Sequence, residues 1–284
     1  MKKLSYLAAV ALVALLTACT TSDVPQPEAR THSLVTFNLG GEGFGNPTFT
    51  RATALGESDM TDLWVFDFVA EECVQSLHLT PEDAAFSAPQ LTMSMGEHEV
   101  CFVASRGSGP VLDEAAQSIT WDIPRDTYWA SQIVTVGQST GSISVTLDRV
   151  ATKLRLVITD EVPANAAVVA VRPAKWFYGL DYWTGDPVAN DTKERTISVP
   201  ASYIGTTGQL NCSFFGLSTK NEWTTDITIE GRDTDGGIMG HAVIASAPFK
   251  ANRATEYTGR LFSGEGSMSI SLNDTWEDSY TGTW

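Results

Sequence analysis

Leu63-Trp-Val-Phe-Asp-Phe-Val69 is the stretch that decides the fold. In an extended strand successive side chains point to opposite faces, so Trp64, Phe66 and Phe68 share one face and Leu63, Val65 and Val69 the other. A strand that is apolar on both faces is covered on both, which predicts a central strand. Shorter alternating runs flank it in the chain. Leu34 to Leu39 precedes it, with Val35, Phe37 and Leu39 directed inward; Val100 to Ala104, Gln132 to Val136 and Ser142 to Leu147 follow. Leu154 to Thr159, Ala167 to Val171, Thr196 to Val199, Leu210 to Phe215, Asp226 to Glu230, Ile238 to Ala245, Tyr257 to Phe262 and Met268 to Leu272 continue the series. Nowhere do apolar residues hold a helical period for three turns. Pro81 to Phe86, with Thr80 as its cap, predicts one helical turn and no more. Short strands separated by Gly, Asn and Asp predict an all-β chain of sandwiches or barrels.

One internal echo bears on domain organisation. Gly141-Ser-Ile-Ser-Val-Thr-Leu147 and Gly266-Ser-Met-Ser-Ile-Ser-Leu272 match position for position. Chance is the competing reading, because any half-buried edge strand alternates in this way. Read as a repeat, each copy is the last strand of a domain, which puts one sandwich over residues 33–148 and a second over 149–284.

Residues 1–18 stand apart from this pattern. Lys2 and Lys3 are followed by an apolar run from Leu4 to Leu16 and then by Leu16-Thr-Ala-Cys19. A charged start, a short apolar segment and a small residue before the cut are the marks of an export signal. A cysteine just after the cut makes it a lipoprotein signal, because the thiol receives the lipid before cleavage. Cys19 is thus the expected lipidation site, and acyl chains there would hold the mature chain at a membrane surface. Residues 19–32 are polar and proline-bearing, and read as a flexible spacer.

Removing residues 1–18 takes two lysines and no acid, leaving 16 basic residues against 34 acidic and a net charge of −18. Such a surface repels phosphate backbones, so nucleic-acid binding is not expected. Four histidines, His32, His78, His98 and His241, include no two at metal-ligand spacing, and neither a nucleophile elbow nor a phosphate loop occurs. No enzyme, cofactor or metal is expected. Asp233-Thr-Asp-Gly-Gly237 resembles the start of a calcium loop, but the closing position holds Ile244. Its place between two strand candidates favours a hairpin turn. Export permits a disulfide, and Cys73 with Cys101 is one reading; buried free thiols at Cys73, Cys101 and Cys212 are the other.

Two stretches carry functional candidates. Trp176-Phe-Tyr-Gly-Leu-Asp-Tyr-Trp183 is the densest aromatic run, and Trp176 and Trp183 with Asp181 and Asp186 fit a sugar-stacking platform as well as the closed end of a core. In Thr50-Arg-Ala52 the arginine lies in a polar connection after the first strand. Arg51 is either a solvated loop residue or a cleavage point, with Ala52 as the new N-terminus and Leu34 to Leu39 released.

Val145-Thr-Leu-Asp-Arg149-Val-Ala151-Thr-Lys153-Leu-Arg-Leu-Val-Ile158 resembles the central segment of fimbrillin-type pilus subunits from Bacteroidales. Pro248-Phe-Lys250-Ala-Asn252-Arg253-Ala-Thr255, Tyr257-Thr-Gly259-Arg-Leu261-Phe262 and the later Ile270-Ser-Leu272 and Trp276 resemble the C-terminal run of the same superfamily. Within it the chain looks most like the FimB-like, lipid-anchored minor subunits. The resemblance implies two tandem transthyretin-like β-sandwich domains with Greek-key-type connections, export to the outer membrane and cell surface, and other fimbrial subunits as partners. It also implies assembly by strand exchange, in which a sheet edge vacated by one strand takes a strand from a neighbour. The second reading is a surface glycan-binding lipoprotein of a polysaccharide-uptake system, motivated by Trp176 to Trp183.

Overall fold

The computed structural model describes residues 31–40, 60–208, 210–263 and 268–273. Its described residues are almost entirely strand, as the alternation predicts. The first nine strands are β1 (His32–Gly40), β2 (Asp62–Val69), β3 (Glu72–Leu79), β4 (Gln90–Ser94), β5 (Gly96–Ser105), β6 (Ser108–Asp113), β7 (Ser118–Ile123), β8 (Thr127–Val136) and β9 (Ser142–Thr146). Next come β10 (Asp148–Arg149), β11 (Ala151–Ile158), β12 (Ala166–Pro173), β13 (Trp176–Asp181), β14 (Pro187–Asp191) and β15 (Arg195–Ser198). The last five are β16 (Leu210–Leu217), β17 (Trp223–Asp233), β18 (Ile238–Phe249), β19 (Ala254–Gly259) and β20 (Met268–Asn273).

One seven-strand path is traced twice. In the first pass β4-β1-β9 forms one sheet and β8-β5-β2-β3 the other, with β10 added beside β8. In the second, β16-β11-β19 and β18-β17-β12-β15 repeat that order, and both passes place the opening strand antiparallel to one neighbour and parallel to the other. Each pair of sheets buries its own core. The first joins Val35, Phe37, Leu91 and Val145 to Val65, Phe102 and Tyr128; the second joins Leu156, Cys212 and Tyr257 to Val169, Ile229 and Phe249.

A third core lies between the two and explains the opening stretch. Leu63 and Val65 fill the first sandwich, while Trp64, Phe66 and Phe68 on the far face of β2 pack with Trp121, Val150, Leu180, Tyr182 and Leu217. Tyr182 stacks on Phe66 with ring centroids 3.8 Å apart. The strand is central, as its two apolar faces require, and its second face is covered by Trp121 of the β6–β7 hairpin together with residues from the other half of the chain.

Several expectations are corrected. Residues 81–86 form hydrogen-bonded turns and no helix, with Asp83 N–H donating to the Thr80 carbonyl over 2.9 Å and Phe86 N–H to that of Asp83 over 3.1 Å. Proline at the first position suits such a turn as well as a helix, and nothing apolar follows to extend it. The echoed segments do not hold equivalent places. β9 is the parallel partner of the opening strand, a role taken in the second pass by β19, whereas β20 lies one place further out, antiparallel to β19. Cys73 and Cys101 do not pair: they stand opposite Phe68 and Phe66 with β2 between them. Two strand spacings of about 4.8 Å exceed a disulfide's reach. All three described cysteines are free thiols, Cys73 exposed and the other two buried.

Candidate functional site

β1 is held as the middle strand of its sheet by backbone bonds on both edges. It pairs antiparallel with β4 from His32↔Ser94 to Thr36↔Gln90, and parallel with β9 from Thr36↔Ser142 to Gly40↔Thr146. Beyond the regular ladder, Phe37 N–H donates to the Pro89 carbonyl over 2.9 Å and Leu147 N–H to that of Gly40 over 3.0 Å. Alternation sets the rest. Val35 and Phe37 are fully buried and Leu39 nearly so, while Leu34 on the other face is exposed. Phe37 meets Phe102 edge to face, with centroids 5.2 Å apart. Without this strand, β4 and β9 would present unpaired backbone groups across a trough floored by Leu91, Met93, Val145 and Phe102. Cys19, Arg51 and Ala52, expected to govern what happens to β1, lie outside the described residues.

The segments that carry the pilus resemblance meet in space. Arg149, in the central motif, donates from Nε to Asp126 Oδ1 over 2.8 Å and from Nη1 to Asn252 Oδ1, in the C-terminal motif, over 3.0 Å. Its guanidinium lies 5.0 Å from the Tyr128 ring centroid. Asn252 N–H donates to the Ala151 carbonyl over 2.9 Å, and Lys153 N–H to the Arg253 carbonyl over 3.0 Å. This knot sits where the chain passes from the first sandwich to the second. Asp126 takes no part in either motif, so only the fold reveals it as Arg149's partner.

Asp67, His98 and Ser94 form a line that sequence reading missed. His98 Nδ1 lies 2.7 Å from Asp67 Oδ1, and Nε2 lies 3.0 Å from the Ser94 carbonyl and 3.2 Å from Ser94 Oγ. Three such side chains suggest a charge-relay triad, but a carbonyl only accepts, so the Nε2 position carries the proton and is not free to act as a base toward Ser94. Burial pushes the Asp67 carboxyl up, against the opposing effect of the His98 hydrogen bond. Both side chains are 2 % exposed. The arrangement pins the β4–β5 hairpin to β2, on the floor of the first core. A lone acid in a run apolar on both faces was the available signal.

The two tryptophans fall in different cores. Trp176 is 3 % exposed, packs against Trp223 and Phe249, and donates from Nε1 to the Phe215 carbonyl over 2.9 Å. Trp183 belongs to the core between the sandwiches, stacked with Phe68 at 5.7 Å and donating to Glu99 Oε2 over 3.0 Å. The fold therefore does not bring them together on one face. Asp233 closes the β17–β18 hairpin: its Oδ1 accepts from Asp235 N–H over 3.0 Å and Gly237 N–H over 2.7 Å. Burial raises the Cys101 and Cys212 thiols to about 12, so both stay protonated and inert.

Sequence and structure comparisons place the chain among known proteins. Residues 113–283 match a family model described as a family of unknown function, DUF6562. That is more than half of the chain, and the chain belongs to this family. None of the curated proteins matches it. Among solved structures, a candidate polysaccharide-binding protein of Bacteroides thetaiotaomicron aligns over 85 % of this chain and 96 % of its own, with TM-score 0.54 and 8 % identity. An adhesin candidate from the same species aligns over 86 % and 96 %, with TM-score 0.53 and 9 % identity. An adhesin candidate of Bacteroides ovatus aligns over 89 % and 95 %, with TM-score 0.51 and 12 % identity. At these identities the likeness is one of fold.

Proposed function

We propose that this member of DUF6562 is a structural subunit of a surface fibre, the membrane-anchoring or chain-terminating accessory subunit, assembled by β-strand exchange. The observation that carries the reading is the position of β1: a strand with three buried apolar side chains in the middle of a three-stranded sheet, not at its edge. Loss of a middle strand opens both flanking edges at once, and an extended segment with the same alternation restores every backbone bond and fills the same pockets. The fold shared with adhesin candidates from Bacteroides supports a role at the cell surface. In this reading residues 33–148 and 149–284 are separate sandwich domains, Cys19 carries the lipid, and Arg51 is the point at which β1 can be freed.

Mass spectrometry of the N-terminus of protein recovered from cells tests it. A lipidated Cys19 identifies an anchor, and Ala52 a subunit whose first strand has been removed. Recovery only as free monomer, from cells whose fibres keep their normal length after its deletion, would overturn the proposal. A second reading, glycan binding, draws on the fold shared with the candidate polysaccharide-binding protein of Bacteroides thetaiotaomicron. Affinity electrophoresis against a panel of polysaccharides decides it: no retardation by any of them removes it.

A further inference from the structure

Each seven-strand pass carries one insertion, and the two insertions occur at different connections. In the first pass the β6–β7 hairpin lies between β5 and β8, where the second pass has only the tight turn from Asp233 to Ile238. In the second, β13 and β14 lie between β12 and β15, where the first pass turns through Ala70 and Glu71, both at positive φ. Neither insertion is needed to close its own sandwich. Yet they pair with each other, through Gly179↔Thr120, Leu180↔Ile119 and Asp181↔Ser118.

The hairpin leaves the first sandwich through a sealed neck. Ser105 and Thr127 are paired across it, and their hydroxyls lie 3.0 Å apart. Beyond the neck, β7 continues the sheet of the second sandwich by way of β13, which also meets β16 at Phe177↔Leu217. Its inner face is apolar: Ile119 and Trp121 are buried, and Trp121 meets Trp64 of β2 at 6.3 Å, edge on. Gly179 permits the close approach, since a Cβ there would stand 2.8 Å from Thr120 Cγ2. Three further bonds cross the same boundary: Trp129 Nε1 to the Tyr182 carbonyl (3.0 Å), Tyr182 N–H to the Gln117 carbonyl (3.0 Å), and Trp183 Nε1 to Glu99 (3.0 Å).

We propose that the paired insertions are a mechanical clamp that makes the two sandwiches one load-bearing body. Without it, tension passes from the first sandwich to the second through the backbone crossing near Val150 and the small knot of Arg149, Asp126 and Asn252 beside it. With it, a strand that belongs to the first sandwich must be sheared or peeled from the second sheet before the halves part. The clamp is a property of the folded chain, and holds whether or not the protein is part of a fibre.

Single-molecule pulling tests it, with peptide handles fused to the two ends of the mature chain and Cys19 replaced by Ser. The intact protein is expected to open in one step that releases both sandwiches, a contour gain of about 850 Å at roughly 3.5 Å per residue. Two separate steps, each the length of one sandwich, would overturn the proposal. Replacing residues 107–125 by the Asp-Thr-Asp-Gly-Gly turn of the second pass should split the single step in two, and a single step retained in that variant also overturns it. If that variant does not fold, hydrogen exchange of the intact protein decides. Backbone amides in the β7–β13 pairing must exchange as slowly as those in β11–β16, and faster local opening there refutes the clamp.

Discussion

Arg149 donates to the side-chain carbonyl of Asn252 across 3.0 Å, joining residues 103 positions apart in the sequence. The same guanidinium holds Asp126 through Nε at 2.8 Å and Nη2 at 3.2 Å, a two-pronged contact in a place where both side chains are about one-tenth exposed. One arginine therefore ties the end of the first sandwich to the β18–β19 connection of the second.

Arg149→Met leaves Asp126 buried without its cation, and should lower unfolding free energy by about 3–5 kcal/mol. Adding Asp126→Asn should recover part of that loss, because the stranded charge is gone. Urea denaturation of the two single variants and the double variant measures the coupling; additive losses would show that the pair is not linked.

Asn252 holds φ of 57°, a left-handed conformation that Asn and Gly tolerate better than other residues. Asn252→Gly should lose only the contact with Arg149. Asn252→Ala should cost about 1–2 kcal/mol more through backbone strain. The difference between their thermal midpoints isolates that strain from the lost hydrogen bond.

Asp160 accepts three backbone N–H groups, from Leu261 at 3.0 Å and from Phe262 and Ser263 at 2.7 Å each. Burial acts to raise its carboxyl, but the three backbone bonds and a further one from the Ser263 side chain together outweigh it and hold the carboxyl below its ordinary value. A folded-state value below the unfolded one means that the stabilisation is complete above the unfolded value, about pH 4, and is lost as pH falls through the folded value. Asp160→Asn should cost about 1–3 kcal/mol at neutral pH and flatten the fall of stability in acid, which a pH series of denaturant midpoints would reveal.

Phe37 is fully buried between β1 and the opposing sheet. Phe37→Ala should cost about 3–5 kcal/mol if β1 is a permanent part of the core. In protein nicked after Arg51, a synthetic peptide of residues 32–40 carrying the same change should displace the resident strand far less well than the unaltered peptide. Competition read by fluorescence anisotropy checks this, and equal displacement by both peptides would show that Phe37 does not anchor the strand.

Much of the architecture was legible because alternation is a local signal. Val35, Phe37 and Leu39 identify a buried face without reference to any partner, and Leu63 to Val69 shows a strand covered on both sides. Several of the strands that escaped notice have mixed or exposed faces, and β4 alternates but over only five residues. β6 is exposed throughout, and β3 is exposed over its first five residues, so neither carries an alternating apolar signal. Asp67 and His98 were illegible for a different reason: their partnership depends on the register of β2 against β5, which no spacing in the chain reveals.

By itself, then, the sequence determined the strand content and the inward face of most strands. These follow from the period of two and from composition, both of which are written residue by residue. The tertiary structure alone decided which strands pair: that β19 and not β20 takes the place of β9, that Cys73 and Cys101 stand on opposite sides of β2, and that two insertions lock the sandwiches together. Pairing depends on register and on contacts between distant segments, and alternation is the same whichever neighbour a strand acquires.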